Sequence, residues 1–261
     1  IEDLELILHP MAEEGKEASG SMGDDTPVAV LSSHYRPVSH YFRQNFSQVT
    51  NPPIDSLREN KVMSLKTRFG NLGNILDFDN LTEDNIYVLD SPILTNSQLK
   101  KFKKFFSKKV KVIDCTFDIK SSLKDRIEAI REETETAVRE GSTTLILSDK
   151  NISNQKASIP SILIVGAVHS HLVKHALRGY CSLNVECSDA LDTHSFAVLI
   201  GVGATTVNPY LAIDSIYQRF EKKLFGKSDF ESCVIKFKHS IDAGLLKIMS
   251  KMGISVISSY R

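Results

Sequence analysis

The apolar positions of the chain recur with a helical period in several segments. Residues 2–14 and 122–139 place apolar side chains three and four positions apart, which predicts amphipathic helices. Ser122 stands before the second segment as a candidate N-cap. A further helix is predicted over 38–47, and a short one follows the proline pair of "QVTNPPID". The two prolines fix an extended backbone and carry no N–H, so they separate these helices by a stiff element.

Between the helices, short apolar runs bounded by turn residues have the composition of β-strands. The predicted strands occupy 62–70, 86–92, 110–117, 143–149, 181–187 and 254–259. Because strands alternate with helices, we predict parallel, right-handed β-α-β units, arranged as an open α/β sheet or a barrel-like one. The polar segment "KNISNQKAS" (150–158) is a candidate loop or lid.

Composition adds few constraints. The chain is 41% hydrophobic and 25% charged, and its formal net charge is zero, which gives no overall attraction to nucleic acid or to a membrane. Its four cysteines form no CxxC motif, a usage typical of a reducing compartment. Apolar runs also fall short of the roughly 20 residues that span a bilayer. We therefore expect a cytoplasmic protein with neither nucleic acid nor membrane as a partner.

A lysine-rich segment is the clearest local charge feature. Residues 100–111 contain seven lysines and no acid. The aromatic residues between them are Phe102, Phe105 and Phe106. Together with Leu99 they have helical spacing, which indicates that they face a core and that the lysines form a solvated helix face. A nucleic-acid site is the less favoured interpretation.

Three histidines form the only dense cluster of possible metal ligands. They are His169, His171 and His175 in "VHSHLVKH". The last two stand four apart, as in a zinc-binding helix, but Leu172 occupies the position where the metalloprotease motif requires glutamate. His194 or Glu186 could add ligands only if the fold brought them close. Packing or hydrogen-bonding roles are therefore favoured over a metal site, and a metal-dependent enzyme is kept as an alternative.

Other catalytic motifs are weak. In "GVGATTVNPY", Gly201 and Gly203 are followed by Thr206 where a dinucleotide fingerprint has its third glycine. The sequence has neither a G-x-S-x-G elbow nor a cysteine in an activating motif. From its residues alone, the chain is a soluble α/β protein without a self-sufficient active site.

Long segments nevertheless resemble one family, in order along the chain. They are "HPMAEEGKEASGSMGDDTPVAVLS" (9–32), "YFRQNFSQVTNPPIDSLREN" (41–60), "VMSLKTRFG" (62–70), "SILIVGAVHSHLVKHALR" (161–178) and "HSFAVLIGVGATTVNPYLA" (194–212). These segments resemble the central domain of the large subunit of glutamate synthase. The last segment, "GLLKIMSKMGISVISSYR" (244–261), is similar to the start of that enzyme's FMN-binding synthase domain. By this resemblance, 1–212 is a central (linker) domain and 213–261 an N-terminal fragment of the synthase domain.

The resemblance implies a role within a larger enzyme. In glutamate synthases an amidotransferase domain releases ammonia from glutamine, and an internal tunnel delivers it to a synthase domain that carries FMN and an iron–sulfur cluster. There 2-oxoglutarate is reductively aminated to glutamate, with electrons from ferredoxin or an NAD(P)H-linked subunit. The central domain links these two partner domains of the same polypeptide. It is a relative of the flavin barrel, so the expected fold is α/β with a rudimentary or incomplete (β/α) barrel-like domain.

We expect this chain to be catalytically silent when isolated. It begins with Ile1 instead of the amidotransferase cysteine, its cysteines do not form an iron–sulfur cluster motif, and most of the flavin barrel would lie beyond Arg261. Accordingly, no catalytic residue, cofactor or metal is predicted for the chain alone. The alternative from another class is a standalone, non-catalytic scaffold or interaction protein that retains the fold.

The resemblance also implies site residues. It places "TNPPID" near the tunnel entrance, which makes Thr50 and Asn51 candidate wall residues, with an ordinary Asn/Pro turn as the alternative. It places Met63 and Ser64 near the flavin, with a core methionine as the alternative.

The resemblance further implies that the start of the barrel supplies cofactor neighbours. These candidates are Lys251, Met252, Gly253, Ile254 and Ser255.

Overall fold

The computed structural model describes residues 2–18, 29–33, 35–44, 54–70, 76 and 86–260. Thr50 and Asn51 lie outside the described residues, so their predicted role in a tunnel stays a prediction.

Helices occupy much of the described chain. The α-helices are α1 (His9–Glu14), α2 (Glu59–Val62), α3 (Asn96–Phe106), α4 (Leu123–Arg139), α5 (Ser161–Lys174), α6 (Thr193–Gly201), α7 (Tyr210–Glu221) and α8 (Phe230–Met252). A π-helical stretch, Leu4–Leu8, leads into α1, which confirms the helix predicted over 2–14. This N-terminal helix is tied to α7, because Arg219 donates to both carboxylate oxygens of Glu5 at 2.9 and 2.8 Å.

The strands form one parallel sheet and two small antiparallel pairs. They are β1 (Thr67–Phe69), β2 (Tyr87–Leu89), β3 (Val110–Asp114), β4 (Thr116–Asp118), β5 (Thr144–Ser148), β6 (Lys156–Ser158), β7 (Ser182–Glu186) and β8 (Thr206–Asn208). The parallel sheet has four strands in the order β3-β5-β7-β8. A parallel bridge from Ile93 to Val207 continues it beyond β8. The antiparallel pairs are β1–β2 and β4–β6.

The strand order explains the fold class. Each crossover through α4, α5 and α6 moves the chain by one strand in the same direction, without the reversal that defines a doubly wound sheet. Consecutive parallel neighbours are the arrangement of a (β/α) barrel, and the described part of the chain supplies four such strands. The predicted α/β fold with an incomplete barrel-like domain is confirmed.

Local capping chemistry sets the helix ends. Ser122 accepts a hydrogen bond from the backbone N–H of Asp125 at 3.3 Å, as predicted for the start of α4. Gly141 follows the end of α4 with a φ of 97°, a conformation that glycine adopts without strain. Thr95 and Gln98 form a reciprocal capping box at the start of α3.

The two faces of the sheet are covered by different helices. Leu145 and Leu147 of β5 belong to the main core with buried residues of α4, α5, α6 and α8. Ile146 points to the opposite face and packs in a second cluster with Leu99 and Phe102 of α3. The lysine-rich helix is therefore a core helix with a solvated face, as predicted, but the prediction that Phe105 also faces the core was wrong, because Phe105 is 44% exposed.

The prediction of a helix over 38–47 was wrong. Only Val38–Tyr41 is helical, as a 3-10 turn, and Phe42 has extended backbone angles. The backbone here makes a tertiary contact instead of continuing the helix, since Nε2 of His194 lies 2.9 Å from the carbonyl oxygen of Ser39. Residues 45–47 lie outside the described part of the chain.

Two other sequence predictions also need correction. The strand predicted over 254–259 is a single parallel bridge at Val256 followed by a 3-10 turn, Ile257–Tyr260, because Ser64 is the only strand-like neighbour that this segment pairs with in the described structure. The loop predicted over 150–158 ends in β6, whose pairing with β4 makes it part of an antiparallel arm.

Candidate functional site

Two segments that are far apart in the sequence meet at one junction. The N–H of Ser64 donates to the carbonyl of Ser255 at 2.8 Å, and the N–H of Ile257 donates to the carbonyl of Ser64 at 3.0 Å. These bonds form the parallel bridge between Ser64 and Val256. We call residues 54–64 together with residues 250–257 the junction. It brings together the two groups of residues that the resemblance separately placed near the flavin.

The helices α2 and α8 position the junction. Met63 directly follows α2 and is 7% exposed within the main core. Its thioether therefore packs in the interior, as the alternative interpretation of this residue stated. The carboxyl end of α8 is closed by Gly253, whose φ is 72°. Just before that end, the hydroxyl of Ser250 donates to the carbonyl of Ile54 at 2.7 Å, which attaches the first described residue after the proline pair to α8.

The outer side of the junction is exposed. Lys251, Met252, Gly253 and Ser255 are exposed, and Ile254 is half-buried. Apolar side chains of the junction also remain in solvent: Leu57, Val62, Met252 and Val256. Exposed apolar groups gathered at one place are characteristic of an interaction surface. The junction thus combines exposed apolar side chains with the buried Met63.

A second polar array lies at the carboxyl edge of the parallel sheet. The final residues of the four strands are in register, with Asp114 beside Ser148, Ser148 beside Glu186, and Glu186 beside Asn208. Active sites of α/β folds lie at this edge. The sequence did not reveal this row, because Asp114, Ser148 and Glu186 lie inside the predicted strands 110–117, 143–149 and 181–187, and no strand was predicted around Asn208.

Glu186 is the charged centre of this row. It is 4% exposed, and Nζ of Lys150 and of Lys103 lie 2.9 and 3.5 Å from its carboxylate. Ser148 donates to it at 2.8 Å. Burial acts to raise the pKa of Glu186, but the hydrogen bonds from Lys150 and Ser148 and the charge of Lys103 outweigh burial, so the pKa lies below its ordinary value. The carboxylate is therefore ionised and forms ion pairs with both lysines, whose two positive charges exceed its one negative charge.

A neighbouring acid behaves in the opposite way. Asp149 accepts from the N–H and the hydroxyl of Ser188 at 3.0 and 2.6 Å. Burial nevertheless raises its pKa. Burial and the Asp149 charge together raise the pKa of Tyr210 well above its ordinary value, and Lys150 lies 5.0 Å from the centre of the Tyr210 ring. These hydrogen bonds and charge contacts connect the carboxyl ends of β5 and β7 with the start of α7, which is a structural role.

The fold separates the histidines considered as ligands. His194 contacts Ser39, and Glu186 pairs with lysines, so neither joins His171 and His175. His169 accepts from Nε of Arg178 at 3.1 Å. Instead, Glu135 of α4 lies beside His171 and His175. The sequence did not indicate this glutamate, because it belongs to a different helix.

Within the described part of the chain, no helix has the length and apolar character needed to cross a membrane.

Fold and junction together define an α/β domain of barrel-type strand order, whose early and late segments meet at an exposed surface. Comparisons with known proteins identify the family. The family model described as "Glutamate synthase central domain" matches residues 1–261.

Curated relatives match along nearly the whole chain. The NADPH glutamate synthase large chain of Azospirillum brasilense is 57% identical over 100% of this chain and 17% of its own length. Ferredoxin-dependent glutamate synthase of Pyropia yezoensis is 39% identical over 99% of this chain and 18% of its own length. NADH glutamate synthase of Schizosaccharomyces pombe is 40% identical, with 100% and 13% covered. Among solved structures, a mutant flavocytochrome b2 with benzoylformate has a TM-score of 0.42 and 13% identity, covering 63% of this chain and 36% of that chain.

This chain belongs to the glutamate synthase central-domain family. It spans 13–18% of the length of these three relatives. Relatives named for NADPH, for NADH and for ferredoxin all match over nearly the full chain. The domain is therefore common to glutamate synthases that are named for different electron donors.

Proposed function

We propose that this chain connects the amidotransferase and FMN synthase domains within a glutamate synthase large subunit. In that enzyme, glutamine, 2-oxoglutarate and a reductant yield two glutamates, an oxidoreductase reaction on a CH–NH₂ group. The observation that carries the proposal is the match over all 261 residues to relatives that are about six times longer. Catalysis, FMN and the iron–sulfur cluster belong to the other domains, and the isolated chain is inactive.

The junction is the proposed contact with the flavin domain. Its exposed apolar side chains would be covered by the synthase domain, since burying apolar surface is the main favourable term in such contacts. Met63 and Ser64, with residues 251–255, would then stand at the boundary of the flavin domain, with Met63 as a buried support. We retain the proposed division into a central domain over 1–212 and a synthase fragment over 213–261; residue 212 lies within α7.

The ammonia tunnel is the second part of the proposal. Thr50 and Asn51 would line its entrance, because the following proline pair is stiff and leaves backbone carbonyls without a competing N–H. The hydrogen bond from Ser250 to the carbonyl of Ile54 supports this role, since it fixes the chain just after the prolines. A fixed wall matters here because bulk water would protonate ammonia and remove its nucleophilic lone pair.

The test compares the two half-reactions in the full-length enzyme. Thr50→Val and Asn51→Ala should leave glutamine hydrolysis active while less glutamate forms per glutamine hydrolysed. Ser250→Ala should have the same effect more weakly, because it removes only the hydrogen bond to the carbonyl of Ile54. Lys111→Ala is the control, since its ion pair with Glu133 at 3.4 Å is exposed on both sides and lies outside the junction. If the ratio of the two activities stays at the wild-type value in all three variants, the tunnel role is refuted.

A further inference from the structure

A compact group of metal-ligand side chains bridges α4 and α5, away from the junction. Glu135 of α4, His171 of α5 and His175, the C-cap residue of α5, each offer a donor atom, and these atoms lie within 4.8 Å of one another. The two histidines are four residues apart, so the helix places them on one face. The sequence interpretation favoured packing roles because Leu172 occupies the glutamate position of the metalloprotease motif and the sequence brought no further ligand close. The third stands 36 residues before His171, on the neighbouring helix.

The distances in this group suit a shared cation. Nε2 of His171 lies 2.7 Å from one oxygen of Glu135, and Nδ1 of His175 lies 3.5 Å from the other. With metal–ligand bonds of about 2.0–2.1 Å, tetrahedral donors around Zn²⁺ stand about 3.3 Å apart. The observed separations lie on both sides of that value, so small side-chain rotations would complete the geometry. The two imidazole rings are already close, with centroids 4.4 Å apart.

The chemistry of the group also fits. Glu135 offers a carboxylate oxygen and the two histidines offer imidazole nitrogens, which are ligand types that Zn²⁺ takes in proteins. His171 is 8% exposed, whereas His175 and Glu135 reach solvent. One side of the group is therefore fixed in the core, and the other is open to a water molecule as a fourth ligand. Two imidazoles and a carboxylate favour Zn²⁺ or a similar transition metal over Mg²⁺ or Ca²⁺, which prefer oxygen ligands.

We propose that Glu135, His171 and His175 bind one divalent transition-metal ion of the Zn²⁺ type between α4 and α5. None of the three residues belongs to the junction. Two features make it weaker than a closed zinc site. Arg139 competes for Glu135, from which its Nη2 lies 2.8 Å. In addition, the buried Nδ1 of His171 lacks the hydrogen-bond acceptor that usually orients a metal-bound imidazole.

Calorimetric titration of Zn²⁺ into the chelator-treated 261-residue chain tests the proposal. We expect one ion per chain. His175→Ala and Glu135→Gln should each weaken binding at least about 10-fold, the lower end of what even second-shell changes cost. Arg139→Ala should strengthen binding, because it frees the carboxylate. His40→Ala is the control, since His40 is exposed and lies outside the group, and its binding constant should equal that of the wild type.

A second measurement separates binding from folding. Co²⁺ can replace Zn²⁺ as a spectroscopic probe, and a tetrahedral site gives visible absorption that free Co²⁺ in water lacks. Far-UV circular dichroism should show the same helix content in every variant, because the substituted side chains reach solvent. Absence of Zn²⁺ binding by the wild-type chain, or equal binding constants for the wild type and His175→Ala, overturns the proposal.

Discussion

Gly244 in α8 lies where this helix touches the start of α6, and the contact leaves no space for a side chain. A Cβ atom added at Gly244 would stand 2.5 Å from Cγ2 and 2.7 Å from Oγ1 of Thr193. Optimal contacts between carbon atoms lie at about 3.5–4.0 Å, so one of the helices must shift. Gly166 in α5 is a matched control, because its added Cβ would meet Cβ of Val202 at an ordinary 3.9 Å.

The two substitutions should change the free energy of unfolding in opposite directions. In a helix interior, alanine is favoured over glycine by about 1 kcal/mol. Gly166→Ala should therefore raise the free energy of unfolding by about 0.5–1 kcal/mol. At Gly244 the same gain is opposed by overpacking, which costs about 1–3 kcal/mol, and the short distances place this site near the upper end. Gly244→Ala should thus lower the free energy of unfolding by about 1–2 kcal/mol.

Urea unfolding of the two variants measures this difference, and a double variant tests its cause. Thr193→Ala removes both atoms nearest to the new methyl group and leaves the Thr193 Cβ at 3.1 Å. In that background Gly244→Ala should lose most of its cost, an interaction energy of about 1–2 kcal/mol. If Gly244→Ala is as stable as the wild type, or if its cost persists in the Thr193→Ala background, the packing explanation is refuted.

Two further predictions concern α8 and α3. Burial raises the pKa of Asp242 from 3.8 to about 6, so the folded state binds this proton more tightly and stability falls as the pH rises between these values. Asp242→Asn should remove that fall and stabilise the protein at pH 8 but not at pH 4. The gain is at most about 3 kcal/mol, because the carboxylate's attraction to Lys238 and His239 is also lost. Unfolding measured at the two pH values checks the sign, and equal effects at both would contradict the prediction. Phe102→Ala should lower the free energy of unfolding by about 3–5 kcal/mol, because Phe102 is fully buried. Phe105→Ala should lower it by less than about 1 kcal/mol, because Phe105 is 44% exposed. Thermal melts distinguish the two, and equal losses would refute the assignment of the lysine-rich helix to the core.

Local rules predicted much of this fold. The apolar run of β5 and the Ser122 cap of α4 depend on neighbouring residues only, so the sequence reveals them directly. The alternation of such elements was enough to predict a parallel sheet, since parallel strands require crossovers.

The errors came from long-range contacts. Ile254 to Ser259 has strand composition, but a strand also needs a partner on at least one side, and Ser64 supplies a single bridge. Similarly, Glu186 of β7 pairs with Lys103 of α3, and Glu135 meets His171 only through the packing of α4 on α5. Periodicity does not encode these pairings, so the sequence left them open.

The contact between Ser250 and Ile54 also affects how the chain is made. These residues are 196 positions apart. A ribosome adding about 5–20 residues per second needs roughly 10–40 s to cover that distance. During this interval the segment after the prolines has no α8 to bind, and Met63 and Leu65 lack part of their core. The junction is consequently completed well after its first segment has been made, and a nascent chain halted before α8 should present this segment to chaperones and proteases.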